Sequence, residues 1–292
     1  MDIKKVVKSL NVYTVKKGIA YLRQYGWKEF RVRLSERFEG IETDYGEWCK
    51  KDILSEEERQ RQRDMVWEHP PLISVVVPVF STPETFLRQM IESVTAQTYP
   101  HWELCIVDAS PDVSVTKPVI AEYLTDARIR YKILGENLGI ADNTNKAFEM
   151  AKGDYIALFD HDDLLCENTL FEVALAIQER GADVIYTDED KIKGETGERY
   201  QPNFKPDFNL DLLRSNNYIC HLLVVKKELL ECVGGLRREY DGAQDYDFIF
   251  RCIEAVKPEE IYHVPKILYH WRCHEDSTAE NPESKTYAFE AG

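Results

Sequence analysis

The chain has 292 residues, 43% of them hydrophobic and 30% charged, with a formal net charge of −15. That composition belongs to a globular protein with room for one large domain and an appendage, and it excludes a disordered chain. An acidic body with no basic binding motif argues against nucleic acid as a partner. No run approaches the roughly 18 consecutive apolar residues of a membrane span.

The charge is unevenly placed. Residues 1–37 carry ten Lys and Arg against three Asp and Glu, interleaved with Val6, Leu10, Tyr13, Ile19, Leu22, Trp27 and Phe30. A basic amphipathic end of this kind packs on the main domain or lies on an anionic membrane surface or a partner. The charge run LSEEERQRQRD (54–64) continues the helical pattern, and EHPPL (68–72) ends it, because two prolines cannot extend a helix. A helical, basic N-terminal extension over 1–70 and a main domain over 71–292 are therefore expected. The N-terminus lacks the apolar core and cleavage site of a signal peptide. Seven cysteines without a Cys-x-x-Cys pair do not form a disulfide or zinc pattern, which points to a reducing cytoplasm. The chain stops at KTYAFEAG, which reads as the start of a helix, so a continuation is expected.

From residue 73 the pattern alternates. ISVVVPV (73–79) reads as a fully buried strand. Residues 81–97 read as a helix capped by Ser81 or Thr82, with Phe86, Leu87, Met90, Ile91 and Val94 on one face. Further strands are predicted at 102–108, 128–134, 154–160 and 183–188, with helices near 115–125, 141–151 and 167–180, the last closed by Gly181. The second half is more mixed, with a polar loop (189–209), strands at 218–225 and 266–272, and a helix over 242–256. Buried strands alternating with amphipathic helices predict a mostly parallel central sheet flanked by helices on both faces. Ligands then sit outside the carboxyl ends of the strands, where Asp108, Asp160 and Asp188 are expected to converge.

Three segments carry candidate chemistry. In ALFDHDDLL (157–165), Asp160, Asp162 and Asp163 crowd one strand end, and no Lys or Arg lies within six residues of them. Like charges this close need an opposite charge, and a hard divalent cation, Mg2+ or Mn2+, takes one or two carboxylates plus substrate phosphates. Asp-x-Asp spacing turns both carboxylates to one side. In GAQDYDFIFRCIEAV (242–256), Asp245 extends the buried stripe Phe248, Ile249, Cys252, Ile253 and Val256 by one turn, as a cap or as a group aimed into a cleft, while Asp247 pairs with Arg251. In ILYHWRCH (267–274), His270 and Arg272 share a face, and arginine matches phosphate oxygens.

These segments, in this order and spacing, resemble the inverting family-2 glycosyltransferases of the GT-A fold, from about Ile73 to Ser277, and the ending LYHWRCHEDSTA resembles that of a bacterial cell-surface polysaccharide (O-antigen) subgroup. The resemblance implies a nucleotide-binding half over 71–188, an acceptor-side half over 189–292, a nucleotide-diphosphate-sugar donor and a glycan or lipid-linked glycan acceptor. Carried over by motif position, Pro78, Val79, Phe80 and Asp108 hold base and ribose. Asp160 contacts the ribose side, Asp162 binds the metal, and His270 is a second candidate ligand. Arg272 touches the diphosphate, Asp188 faces donor sugar or acceptor, and Asp245 is the general base. Three positions depart from the family pattern: Ala109 after Asp108, Asp142 where arginine or glycine is frequent, and Gln244 before Asp245. Two rival readings stand beside this one. The first is a phosphatase of the haloacid dehalogenase type with Asp160 as nucleophile, and the second is a non-catalytic sugar-binding or scaffold protein.

Overall fold

The computed structural model describes residues 45–194 and 196–273, with a few further helical positions between 22 and 30. The basic N-terminal residues on which membrane contact was expected fall almost wholly outside that range, as does the chain end after Cys273. The chain divides into two compact units, Met1–Ile53 and Leu54–Gly292. The first contributes helix α1 (Tyr45–Lys51), with Tyr45 stacked on Trp48 at 5.3 Å.

Residues 54–70, read from sequence as part of the extension, belong to the second unit. Helix α2 (Glu56–Arg63) starts where the Ser55 hydroxyl accepts the Glu58 N–H. It is tied down by Arg59 Nε to Glu167 at 2.6 Å and by Thr98 Oγ1 donating to the buried Gln62 side chain. Trp67 follows, packed edge-on against Tyr99 and Phe171. The charge run disguised these anchors because each partner lies tens of residues away.

The strands are β1 (Ile73–Val79), β2 (Trp102–Asp108), β3 (Ile129–Ile133), β4 (Tyr155–Leu158), β5 (Leu164–Leu165), β6 (Val184–Lys193), β7 (Arg199–Asn203), β8 (Leu223–Lys226) and β9 (Ile261–Cys273). They form one sheet in the order β3-β2-β1-β4-β8-β6-β9-β5, with β7 beside β6. The first four pair in parallel, whereas β8 runs antiparallel to both β4 and β6. Consecutive residues of β1 face opposite sides, so its unbroken apolar run feeds two cores. Val75, Val77 and Val79 pack with helices α3 (Glu84–Thr95) and α6 (Thr169–Arg180), beyond α4 (Thr116–Tyr123) and α5 (Ile140–Phe148) in chain order. Val76 packs on the other face with α5, α8 (Lys227–Val233) and α9 (Gln244–Glu254), while α7 (Leu210–Ser215) contributes Leu213.

Some expectations hold closely. β1 and β2 begin and end as predicted, and α6 closes on Gly181 in the left-handed conformation, φ 61°. Others need correction. Pro83 is the N-cap residue of α3, and neither Ser81 nor Thr82 caps it. β6 does not end at Asp188 but continues to Lys193, and part of the expected polar loop is strand β7.

Candidate active site

The chain runs β1, β2, β3 outward in one direction and then returns to place β4 on the other side of β1. Such a reversal opens a crevice at the carboxyl ends of the two strands, where α/β sheets bind ligands. The β1–β4 ladder stops at Val76–Leu158, while β1 stays paired with β2 through Val79–Asp108. Past that point Pro78 and Val79 are buried and Phe80 emerges 43% exposed. The aspartate turn follows β4 at the same edge.

Asp108 is fully buried, and its carboxylate accepts the Ser110 N–H (2.9 Å) and the hydroxyls of Thr116 and Tyr131 (the latter 2.8 Å). It organises the floor beneath β2 and β3, and Tyr131 and Thr116 were not anticipated beside it.

The three aspartates of the turn have different surroundings. Asp160 is 46% exposed, with its Oδ2 3.6 Å from His221 Nε2. The His221 ring stacks on Tyr269, at 4.9 Å between centroids and 10° between planes. Asp162 is part-exposed, 3.7 Å from His161 Nδ1. Asp163 is buried, accepting the Tyr269 hydroxyl at 2.5 Å and the Arg272 backbone N–H at 2.7 Å. Burial, then the Asp162 and Asp160 charges, push the Asp163 carboxyl well above the usual carboxylate range. Burial opposes charge on His221, yet Cys220 and Asp160 hold it well above the ordinary imidazole range. The imidazole nearest Asp160 thus arrives from elsewhere in the chain. Within the apolar run YICHLLVV, that histidine was the one available signal.

β9 explains how residues about 110 positions away reach the turn, because it pairs with β5 through Leu164–His270 and with β6 along its whole length. Arg272 is 1% exposed; its Nε donates to the Asp162 carbonyl at 2.5 Å and its Nη1 to the Gly194 carbonyl at 3.1 Å. Its guanidinium lies over the Phe86 ring at 4.4 Å, and burial lowers its pKa against the pull of Asp163 and Asp162. Arg272 Nη2 is buried with no hydrogen-bond partner among the described residues. An orphaned charged donor beside the aspartate turn is chemistry that an anionic ligand satisfies.

His270 is nearly buried, with Nδ1 2.5 Å from Asp190 Oδ1 and Nε2 3.1 Å from Cys166 Sγ. Burial works against its charge, but Cys166 and Asp190 together push it up to about 10. A carboxylate on Nδ1 is how proteins orient a metal-ligating imidazole, but Nε2 is here taken up by Cys166 and the ring is held protonated, so of the two candidate ligands only the part-exposed Asp162 carboxylate fits a divalent cation as it stands. Among the described residues no group of three or more His, Cys, Asp and Glu is arranged to hold a metal by itself. The fit is to a cation that completes its shell with water and phosphate oxygens.

Asp188 is enclosed by protein. It is 2% exposed, and its Oδ1 accepts the Lys205 N–H and contacts His263 Nε2, both at 2.8 Å. Its carboxylate is thus engaged by protein groups. Asp245 sits in the first turn of α9, part-exposed, and does not cap that helix. Its Oδ2 accepts Asn217 Nδ2 at 2.9 Å. Asp247 pairs with Arg251 as expected, and also with Arg237.

Residues 217 and 221 tie the two carboxylate sites together, one contacting Asp245 and the other Asp160. Four residues of chain reach at most about 14 Å. Asp160 and Asp245, 85 positions apart in sequence, are therefore linked through one short segment of chain.

The chain matches the family model described as Glycosyl transferase family 2 over residues 74–234. It is 46% identical to the uncharacterized protein y4gI of Sinorhizobium fredii, over 77% of this chain and 25% of that protein. It is 37% identical to the O-antigen biosynthesis protein RfbC of Myxococcus xanthus, over 86% of this chain and 20% of that one. The chain thus spans a quarter or less of the length of these two relatives. Among solved structures, S. aureus TarS 1–349 in complex with UDP-GlcNAc superposes with a TM-score of 0.61 at 21% identity, covering 75% of this chain and 64% of that one. The mannosyltransferase PcManGT of Pyrobaculum calidifontis, in complex with GDP-Man and Mn2+, gives 0.55 at 18% identity with the same two coverages. These likenesses identify the sheet and its helices as the GT-A fold.

Proposed function

Because the chain belongs to glycosyltransferase family 2, we propose that it moves a sugar, with inversion, from a nucleotide-diphosphate-sugar donor to a glycan or lipid-linked glycan acceptor in bacterial surface polysaccharide synthesis. What supports this reading most is that one short segment, 217–221, links Asp245 to the aspartate turn beside the sheet's reversal point. Phe80 lies at the base-binding end, over a floor fixed by Asp108, and Asp160 faces the ribose. Asp162 would hold Mn2+ or Mg2+, with His270 joining it only once its Nε2 leaves Cys166; the cation when bound supplies the charge that stabilises the leaving diphosphate. The Nη2 of Arg272, buried without a hydrogen-bond partner among the described residues, is the donor assigned to a phosphate oxygen.

The acceptor hydroxyl attacks the anomeric carbon from the face opposite the diphosphate, and Asp245 takes its proton as that bond forms. One displacement inverts the centre without a covalent enzyme intermediate. Asp188, buried as it is, shapes the acceptor side through Lys205 and His263. We place the protein in the cytoplasm, at the inner face of the membrane, on the strength of the basic residues 1–37. No helix among the described residues is long and apolar enough to cross a membrane.

The phosphatase reading has no support: its nucleophile belongs on the first strand, and Asp160 follows the fourth. The non-catalytic reading is separated from the proposal by Asp245→Asn. That variant is expected to abolish transfer while nucleotide binding stays within about twofold of the parent. Transfer at the parent rate contradicts the base assignment.

A further inference from the structure

The segment 216–222 has no regular structure, yet side-chain hydrogen bonds hold it at several points. The Lys205 side chain is wholly buried, its ammonium donating to the Ile219 carbonyl at 2.7 Å and to the His221 carbonyl, and pairing with Glu189 at 3.1 Å. The Lys205 backbone is in turn fixed by Asp188. Tyr218 packs edge-on against Tyr186, and its hydroxyl accepts the Asn209 N–H. A buried lysine is costly unless every one of its bonds is used. Here they serve to hold a loop.

Asn217 is what that loop delivers. Its Oδ1 accepts the Cys220 N–H at 3.3 Å, which fixes the amide orientation, so Nδ2 is the atom that meets Asp245 Oδ2 at 2.9 Å. Asp245 Oδ1 takes no hydrogen bond from the described residues. One carboxylate oxygen is thus held by a neutral donor and the other is open, the arrangement that suits an oxygen receiving a proton.

We propose that Asn217 is a positioning residue for the Asp245 base, holding its carboxylate in one rotamer through Oδ2 so that Oδ1 meets the acceptor hydroxyl. The inference rests on the transferase reading above. Lys205 keeps Asn217 in place, and His221, four residues on, carries the same loop to Asp160.

Asn217→Asp tests this with the least disturbance. The aspartate retains the acceptor for the Cys220 N–H and loses only the N–H that Asp245 accepts, setting a like charge in its place. The assay is release of nucleoside diphosphate from UDP-N-acetylglucosamine and from GDP-mannose with Mn2+ by the full chain, for the parent, Asn217→Asp, Asn217→Ala and Asp245→Asn. A hydrogen bond to a charged group corresponds to about a ten- to hundredfold effect. The expected result is a kcat lowered by that factor in Asn217→Ala and further in Asn217→Asp, with donor KM within about twofold of the parent and unchanged thermal unfolding. A parent that turns over while Asn217→Asp matches its kcat overturns the positioning role alone. So does a variant that raises KM at constant kcat. A parent that turns over neither donor, or an Asp245→Asn variant as active as the parent, overturns the transferase or base assignment and this role with it.

Discussion

Lys205→Met removes the ammonium that holds the crevice loop while leaving a side chain of similar length. In the structure the Lys205 side chain is 0% exposed and its partner Glu189 only 9%. Without the lysine, Glu189 keeps a single donor, Asn203 Nδ2 at 3.1 Å, and the carbonyls of Ile219 and His221 lose theirs. Removing one partner of a buried pair strands the other charge, at a cost of about 3–5 kcal/mol. For a domain of this size, about 2–4 °C per kcal/mol converts that into a midpoint lower by about 6–20 °C. Circular dichroism melts and urea titrations read the loss, with the urea slope expected to hold constant. Adding Glu189→Gln neutralises the stranded carboxylate and keeps its acceptor for Asn203. The double variant should therefore recover about 2 kcal/mol of the single variant's loss, within the range of coupling between contacting residues. A single variant within about 1 kcal/mol of the parent, or a double variant with no recovery, refutes the claim that this pair holds the loop.

Other consequences are checked in the same way. The folded-state pKa of Asp163 is raised, so its contribution to stability is present below the unfolded carboxylate value near 3.9 and is lost as pH rises through the folded value. Asp163→Asn removes that titration, and in metal-free buffer its unfolding midpoint is expected to gain on the parent's as pH rises from the unfolded carboxylate value toward neutrality; a gap independent of pH contradicts the assignment. Asp163→Ala instead leaves the Arg272 N–H and the Tyr269 hydroxyl without their acceptor and should cost about 1–3 kcal/mol. At the far end of the sheet, a Cβ on Gly153 would stand 2.5 Å from the Leu72 carbonyl oxygen and 2.6 Å from Ser74 Oγ. Gly153→Ala is therefore expected to destabilise by about 1–3 kcal/mol without changing nucleotide affinity, and a neutral effect on unfolding would show that the β1 start yields easily.

The parallel half of the fold was legible because its signals are local. β1 and β2 are continuous apolar runs bounded by polar turns, and a buried strand needs nothing else to announce itself. The aspartate turn was legible for the opposite reason, as a charge excess without a nearby counter-charge. What sequence could not supply were the partners. β6 seemed to end at Asp188 because three consecutive acids look like a turn, yet Asp188, Glu189 and Asp190 stay in the strand. Their carboxylates meet His263 and Lys205, Asn203 and Lys205, and His270 and Arg199 respectively. Those partners come from up to 80 positions away. Lys205 gave no sign of being buried, and His221 was hidden inside a segment read as strand. Tertiary pairing decides such residues, and one sequence does not print it.

The central claim is that the crevice beside the aspartate turn takes a nucleoside diphosphate together with a divalent cation. Isothermal titration of the parent and of Asp162→Asn with UDP and GDP, each with and without Mn2+, tests it most directly. The expected result is saturable binding of one nucleotide to the parent that needs Mn2+, and at least tenfold weaker binding to Asp162→Asn. Binding that ignores both Mn2+ and the substitution, or no binding of either nucleotide to the parent, contradicts it.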